Sequence, residues 1–155
     1  MRAVGVPVGA GGPVLAGILA AAAAEDVLRR CFAEARHRGV GVRVLLGGPV
    51  TAAGEDAQVG DLVDRWADKY PDVPVTVAAR RGLDAAITLT AATRRCGLVV
   101  VAEPTDTHDA AVVQALARRA HCPLVVVTPH LGIAEPALSA VTVGRAESRC
   151  GPAAA

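Results

Sequence analysis

Four short valine-rich runs constrain this chain more than any other feature. Leu98–Ala102 (LVVVA) and Leu124–Val127 (LVVV) are continuously apolar, Val73–Ala79 (VPVTVAA) alternates, and Val40–Leu46 (VGVRVLL) alternates and then becomes wholly apolar. Such runs are short for helices, and their β-branched residues suit a pleated surface, so all four read as strands. A run with no polar side belongs to a strand buried on both faces, the environment of a parallel sheet covered by helices.

The segments between these runs carry helical spacing. Val27, Leu28, Cys31, Phe32 and Ala35 form one stripe that stops at Gly39, a residue suited to a left-handed helix end. Asp61 precedes Leu62, Val63, Trp66 and Tyr70, which predicts a second helix starting there and stopped by Pro71; Asp84 is placed to cap a third over Ala85–Arg95. Val112, Val113, Leu116, Ala117 and Ala120 mark a fourth. Strands alternating with helices predict a doubly wound α/β sheet. Pro74 lacks a ladder donor, which places the third strand at an edge and fits a five-stranded parallel sheet of flavodoxin-like, Rossmann-like order 3-2-1-4-5. In that order the chain reverses direction across the sheet between strands one and four, so a ligand is expected at their carboxyl ends.

Two segments compete for the first strand, Ala3–Val8 and Pro13–Leu19. The later one is preferred, because the earlier would demand a helix of about 25 residues, long for a compact domain. The expected organisation is an extension over 1–12, one domain over 13–129, and a C-terminal extension over 130–155 with a short strand at Ala140–Val143 and a frayed end from Cys150. A length of 155 residues suits one such domain with a full core.

Charge and composition remove several function classes. The 16 basic and 15 acidic residues nearly cancel, so neither nucleic acid nor an anionic membrane is an expected partner. Phe32, Trp66 and Tyr70 are the only aromatics, too few for a base-stacking platform. The apolar stretch Pro13–Ala24 has twelve residues, too short to span a bilayer, and Arg2 alone is a meagre signal-peptide n-region, so a cytoplasmic location is expected. Cys31, Cys96, Cys122 and Cys150 form no CxxC pair, and the first three read as small buried hydrophobes.

Taken in order, several segments resemble the universal stress protein family: PVLAGI at Pro13–Ile18, EDVLRRCFAEARHRGVGVRVLL at Glu25–Leu46, LVDRWADKYPDVPVTVAARRG at Leu62–Gly82, CGLVVVAEP at Cys96–Pro104 and VVQALARRAHCPLVVVTP at Val112–Pro129. The resemblance covers roughly residues 13–129 and implies a stress-response role. Family members that bind ATP have an aspartate ending strand one and a glycine-rich loop after strand four. Here Leu19 stands at the aspartate position (Pro7 if the earlier strand is used), and no acidic residue precedes Glu25. The loop reads AEPTDTHDAA, with Ala102, Ala110 and Ala111 near the ends of the motif and no glycine between Gly97 and Gly132. The resemblance therefore implies the subgroup that binds no ATP, with no cofactor.

Elementary physics points the same way. Phosphate cradling uses close backbone N–H groups, which glycine permits and a helix N-terminus supplements. Pro104 removes one donor, and Glu103, Asp106 and Asp109 bring three carboxylates to the loop, with His108 the one nearby side chain able to become a cation. Each like-charge pair at about 4 Å costs on the order of 1 kcal/mol in water and about 4 near a protein surface. One helix terminus contributes only roughly 0.3–1 kcal/mol in return. A degenerate crevice is expected at Leu19, Leu46, Glu103, Asp106, His108, Asp109, Ala110 and Ala111.

Other readings of these residues compete. Asp106, His108 and Asp109 are types that ligate zinc or manganese, but their spacing matches no established site, and either aspartate serves as a cap of the fourth helix, so no metal is expected. His121 and His130 flank the last strand at opposite ends, too far apart for one ion. Arg80, Arg81 and Gly82 read as a solvated strand end. No Ser-His-Asp arrangement or activated cysteine follows from spacing, so no catalytic residue is assigned. The run Leu124, Val125, Val126 and Val127 lies at the other predicted edge with no guarding charge, and an unguarded edge invites pairing. A homodimer through that strand is expected, as the family resemblance also implies, together with an unidentified protein partner. The leading expectation is a non-enzymatic regulatory or interaction module; the alternatives are an adenine-nucleotide switch or weak phosphohydrolase with its adenine near Leu19 and Leu46, and a metal-dependent enzyme.

Overall fold

A computed structural model describes residues 12–48, 53–128 and 140–143. Strand β1 (Val14–Ile18) leads through a 3-10 turn at Ala21–Ala23 into helix α1 (Ala24–Arg38), followed by β2 (Val42–Leu46), α2 (Ala53–Lys69) and β3 (Val75–Ala79). Helix α3 (Ala85–Ala92) continues into a 3-10 turn at Thr93–Arg95, and β4 (Leu98–Ala102), α4 (Thr107–Arg119), β5 (Leu124–Val127) and β6 (Ala140–Val143) complete the order. The sheet runs β3-β2-β1-β4-β5-β6, with the first five strands parallel and β6 antiparallel to β5. This is the α/β fold of order 3-2-1-4-5 that the sequence pattern predicts, with one strand added. The first strand is the later of the two candidates; Ala3–Val8 lies outside the described residues.

Alternation along the strands divides the core in two. Val14, Ala16 and Ile18 face α1 and α2, while Leu15 faces α3 and α4. All five residues of β1 are buried, which explains why the central strand shows no polar alternation. Helix α1 ends as its sequence predicts: Gly39 adopts φ 73° and its N–H reaches the carbonyls of Ala35 and Arg36. Cys31 is fully buried on that helix, Cys96 is buried before β4, and Cys122 is half-buried before β5. Burial pushes the Cys31 thiol well above its ordinary value and the Cys122 thiol up to about 12, so neither is poised as a thiolate. Cys150 lies outside the described residues.

Two expectations need correction. Helix α2 begins at Ala53, so Asp61 lies in its interior and does not cap it. Glu55 and Asp56 occupy the first turn, where carboxylates meet the positive end of the helix dipole. Val59 extends the buried stripe of Val63 and Trp66 one turn backwards. Strand β5 is not an edge, because Val127 pairs with Ala140 and Leu124 with Val143 in β6. The unguarded row of donors is covered by the chain's own later strand. Pro74 stands one residue outside β3, where its missing N–H costs nothing and its carbonyl accepts from Val42 N–H at 2.8 Å.

Candidate functional site at the strand-order reversal

The carboxyl ends of β1 and β4 open onto a crevice of about 190 Å³. Its walls are Gly17, Ala20, Ala23 and Val27 from the β1–α1 side, and Ala102 and Pro104 from the β4–α4 side. Gly17 keeps the strand end narrow: a Cβ there would come within 3.0 Å of Val101 Cγ1 and 3.1 Å of Leu89 Cδ2. Small aliphatic side chains make the walls, and the polar groups are at the mouth.

Of the eight residues expected here, Leu19, Glu103 and Asp109 line the crevice. Asp106, His108, Ala110 and Ala111 do not; they belong to the start of α4 and the turn before it, and the first two and Ala111 are exposed. Leu46 is not among the residues lining the crevice. It is 3% exposed in the core on the α1–α2 side, while its neighbour Leu45 packs towards α3 and α4. The alanine run after β1 is the contribution that sequence reasoning missed. Its signal was present in the small residues Ala20–Ala24 directly following a predicted strand.

Electrostatics follow from the turn. The Asp106 side chain accepts from Asp109 N–H at 2.8 Å, capping α4, and its backbone carbonyl accepts from Ala110 N–H at 3.0 Å. Partial burial pushes the Asp109 carboxyl above its ordinary value, the Asp106 carboxylate adds to that, and His108 opposes it. Across the crevice, the 3-10 turn entering α1 has no side-chain cap, and Glu25 and Asp26 occupy the first turn of that helix. Both helix starts that approach the site are thus furnished with carboxylates. Among the described residues, no group of three or more His, Cys, Asp or Glu side chains is placed to hold a metal ion. No protein-family model matches this chain. No curated protein is significantly similar to it.

Neighbouring residues differ from expectation as well. Arg80 is exposed, but the Arg81 side chain is only 8% exposed and works as a clamp. Its Nη2 and Nε reach Asp56 Oδ1 at 2.8 and 3.1 Å, and its Nη1 donates to the Gly47 carbonyl at 2.7 Å. The loop after β3 is thereby tied to the end of β2 and the first turn of α2. His121 is exposed, with its backbone N–H donating to Thr93 Oγ1 at 3.0 Å, and His130 lies outside the described residues. No described helix is long and apolar enough to cross a membrane.

Proposed function

We propose that this chain is a universal-stress-protein-like regulatory or interaction module that acts without catalysis and without a bound adenine nucleotide. The family reading rests on the five ordered segments quoted above, and the shared sheet order is compatible with it. One observation carries the functional reading: the Asp109 N–H at the start of α4, a natural phosphate donor, already donates to the Asp106 carboxylate at 2.8 Å. A phosphate there would displace that cap and meet the Asp109 and Glu103 carboxylates at the mouth of the crevice. Size supports the same reading, since about 190 Å³ falls below the roughly 300–1,000 Å³ typical of ligand pockets. Leu46, expected beside the adenine in the nucleotide-switch reading, is buried in the core.

The homodimer belongs to this proposal in altered form. With β5 paired to β6, an association through the last strand uses the outer edge of Ala140–Val143. Native mass spectrometry of freshly purified protein tests both parts at once. A dimer mass without added nucleotide is expected. Retained ATP or AMP would overturn the nucleotide-free reading, and a monomer at micromolar concentration would remove the dimer.

A further inference from the structure

We propose that the groove between α3 and α4 docks an acidic, amphipathic helix of a partner protein. This rests on the reading of the chain as an interaction module and names the surface and partner chemistry which that reading leaves open. The groove encloses about 230 Å³ and lies on the side of the sheet away from α1 and α2. Its floor is built from alanines, among them Ala91 and Ala115, beside Ile87, Thr90, Arg94 and Arg119. Three features distinguish it from ordinary solvated surface.

The first is surplus apolar area. The exposed large apolar residues among the described ones are Val77, Leu83 and Ile87; Ile87, the most exposed at 67%, lines this groove, and Leu83 lies in the bend before α3. Ile87 and Ala91 stand four residues apart on α3 and both line the groove, and Arg94 lines it from the 3-10 turn that follows. The second is an unmade hydrogen bond, because Thr90 Oγ1 is buried without a partner in the groove wall. The third is unbalanced charge. Arg94 and Arg119 line the groove, Arg95 and Arg118 adjoin them in sequence, no carboxylate is among the lining residues, and no ion pair of the described residues uses any of the four arginines.

Charge complementarity decides the occupant. A helix with apolar residues at three- and four-residue spacing would lay them over Ile87 and the alanine floor, and acids near one end would meet Arg94 and Arg119. A second copy of this chain fits less well: its α2 exposes Asp61, Asp64 and Asp68, but no large apolar residue accompanies them on that helix. A bilayer fits less well too. Interfacial aromatics are the usual anchors, and Phe32, Trp66 and Tyr70 all lie on the opposite side of the sheet.

Selection of a random peptide library against the intact chain, followed by fluorescence polarisation with the enriched peptides, tests the proposal. Enriched peptides are expected to combine acids with helical apolar spacing. Arg94→Glu with Arg119→Glu, and separately Ile87→Ser, should weaken them by about tenfold or more, while Val77→Ser leaves affinity unchanged. All four positions are on the surface, and circular dichroism checks that the variants stay folded. Three peptide results would overturn it: no enrichment, enrichment of basic peptides, or affinities indifferent to the Arg and Ile variants. So would sedimentation as a dimer that Ile87→Ser dissociates, or flotation with phosphatidylglycerol vesicles that the double arginine variant abolishes. Retained nucleotide in the mass spectrum, by contrast, would sink the proposed function while leaving this groove untouched.

Discussion

The two sides of the sheet are covered by helix pairs made of different material. On the α1–α2 side the chain's three aromatics converge, with Phe32 centred 6.2 Å from Trp66 and 5.6 Å from Tyr70. Cations close the rim, Lys69 Nζ 4.9 Å from the Trp66 ring and the Arg36 guanidinium 5.7 Å from Tyr70. On the α3–α4 side the buried anchors are aliphatic, Leu89, Val112 and Leu116, and the next layer out is alanine. Large rings fill the space between α1 and α2 and finish the surface, whereas alanines between α3 and α4 leave a trough with Ile87 standing beside it. The first side leaves Val77 exposed on the edge strand, beyond the rings, and the second leaves Ile87 beside an open trough between its helices.

Truncation on each side is the strongest way to break this contrast. Phe32→Ala removes the centre of the aromatic cluster and should cost about 3–5 kcal/mol, a loss large enough to threaten folding. Ile87→Ala, at a residue of similar apolar character but 67% exposed, should stay within about 0.5 kcal/mol of the parent. Urea denaturation followed by Trp66 fluorescence measures both, since Trp66 is the only tryptophan. Comparable losses would mean that Ile87 already has a partner within the chain and that the α3–α4 side is as closed as the other.

Arg81 sharpens the same comparison, because its clamp holds the start of α2. Arg81→Met keeps much of the side-chain volume but leaves the Gly47 carbonyl and the Asp56 carboxylate without this donor. Asp56 is 40% exposed and can turn to water, whereas the carbonyl has less freedom, so a loss of about 1–3 kcal/mol in the same denaturation experiment is expected. Arg81→Lys supplies one donor in place of a fork and should recover only part of it. No loss in Arg81→Met would show that the α1–α2 side holds by ring packing alone.

Helix ends give a smaller effect on the opposite side. Asp84 accepts from Ile87 N–H at 3.0 Å and Asp106 from Asp109 N–H at 2.8 Å, so α3 and α4 each begin on a side-chain cap, while α1 begins without one. Replacing either aspartate by alanine should cost about 1 kcal/mol. Helix α3 has eight residues and little interior to hold it, so Asp84→Ala should also loosen amide exchange across α3 more than Asp106→Ala does across the thirteen-residue α4.

What the sequence revealed and concealed follows the range of the interactions involved. The short valine runs, Gly39 and the cap at Asp84 act within a few residues, and each is found where the local pattern puts it. The start of α2 was hidden because Gly54 and Gly60 dilute the helical pattern ahead of Asp61. The burial of Arg81 depends on Asp56, 25 residues earlier, a pairing no local pattern encodes. The strand at Ala140–Val143 was visible, but not that it would close the edge of β5.

The smallest effect tests the crevice between these regions. Asp109 is raised above 3.8 chiefly by partial burial and then by Asp106, with His108 opposing. A carboxyl whose pKa is higher folded than unfolded binds its proton more tightly in the native state, so its ionisation works against folding. Acidification from neutral pH through the raised folded value should therefore relieve that cost, with the relief complete below about 3.8. Asp109→Asn removes the titration. At pH 7 the variant should be slightly more stable than the parent, by less than about 0.5 kcal/mol because the carboxylate keeps much of its contact with water. The difference should shrink as the pH falls. Its position in the first turn of α4 favours the charged form through the helix dipole, so the sign of the result reports which influence is larger. A variant less stable than the parent at pH 7, recovering towards it in acid, would mean that the dipole outweighs burial and Asp106, and that the mouth of the crevice accommodates negative charge more readily than the geometry of its carboxylates implies.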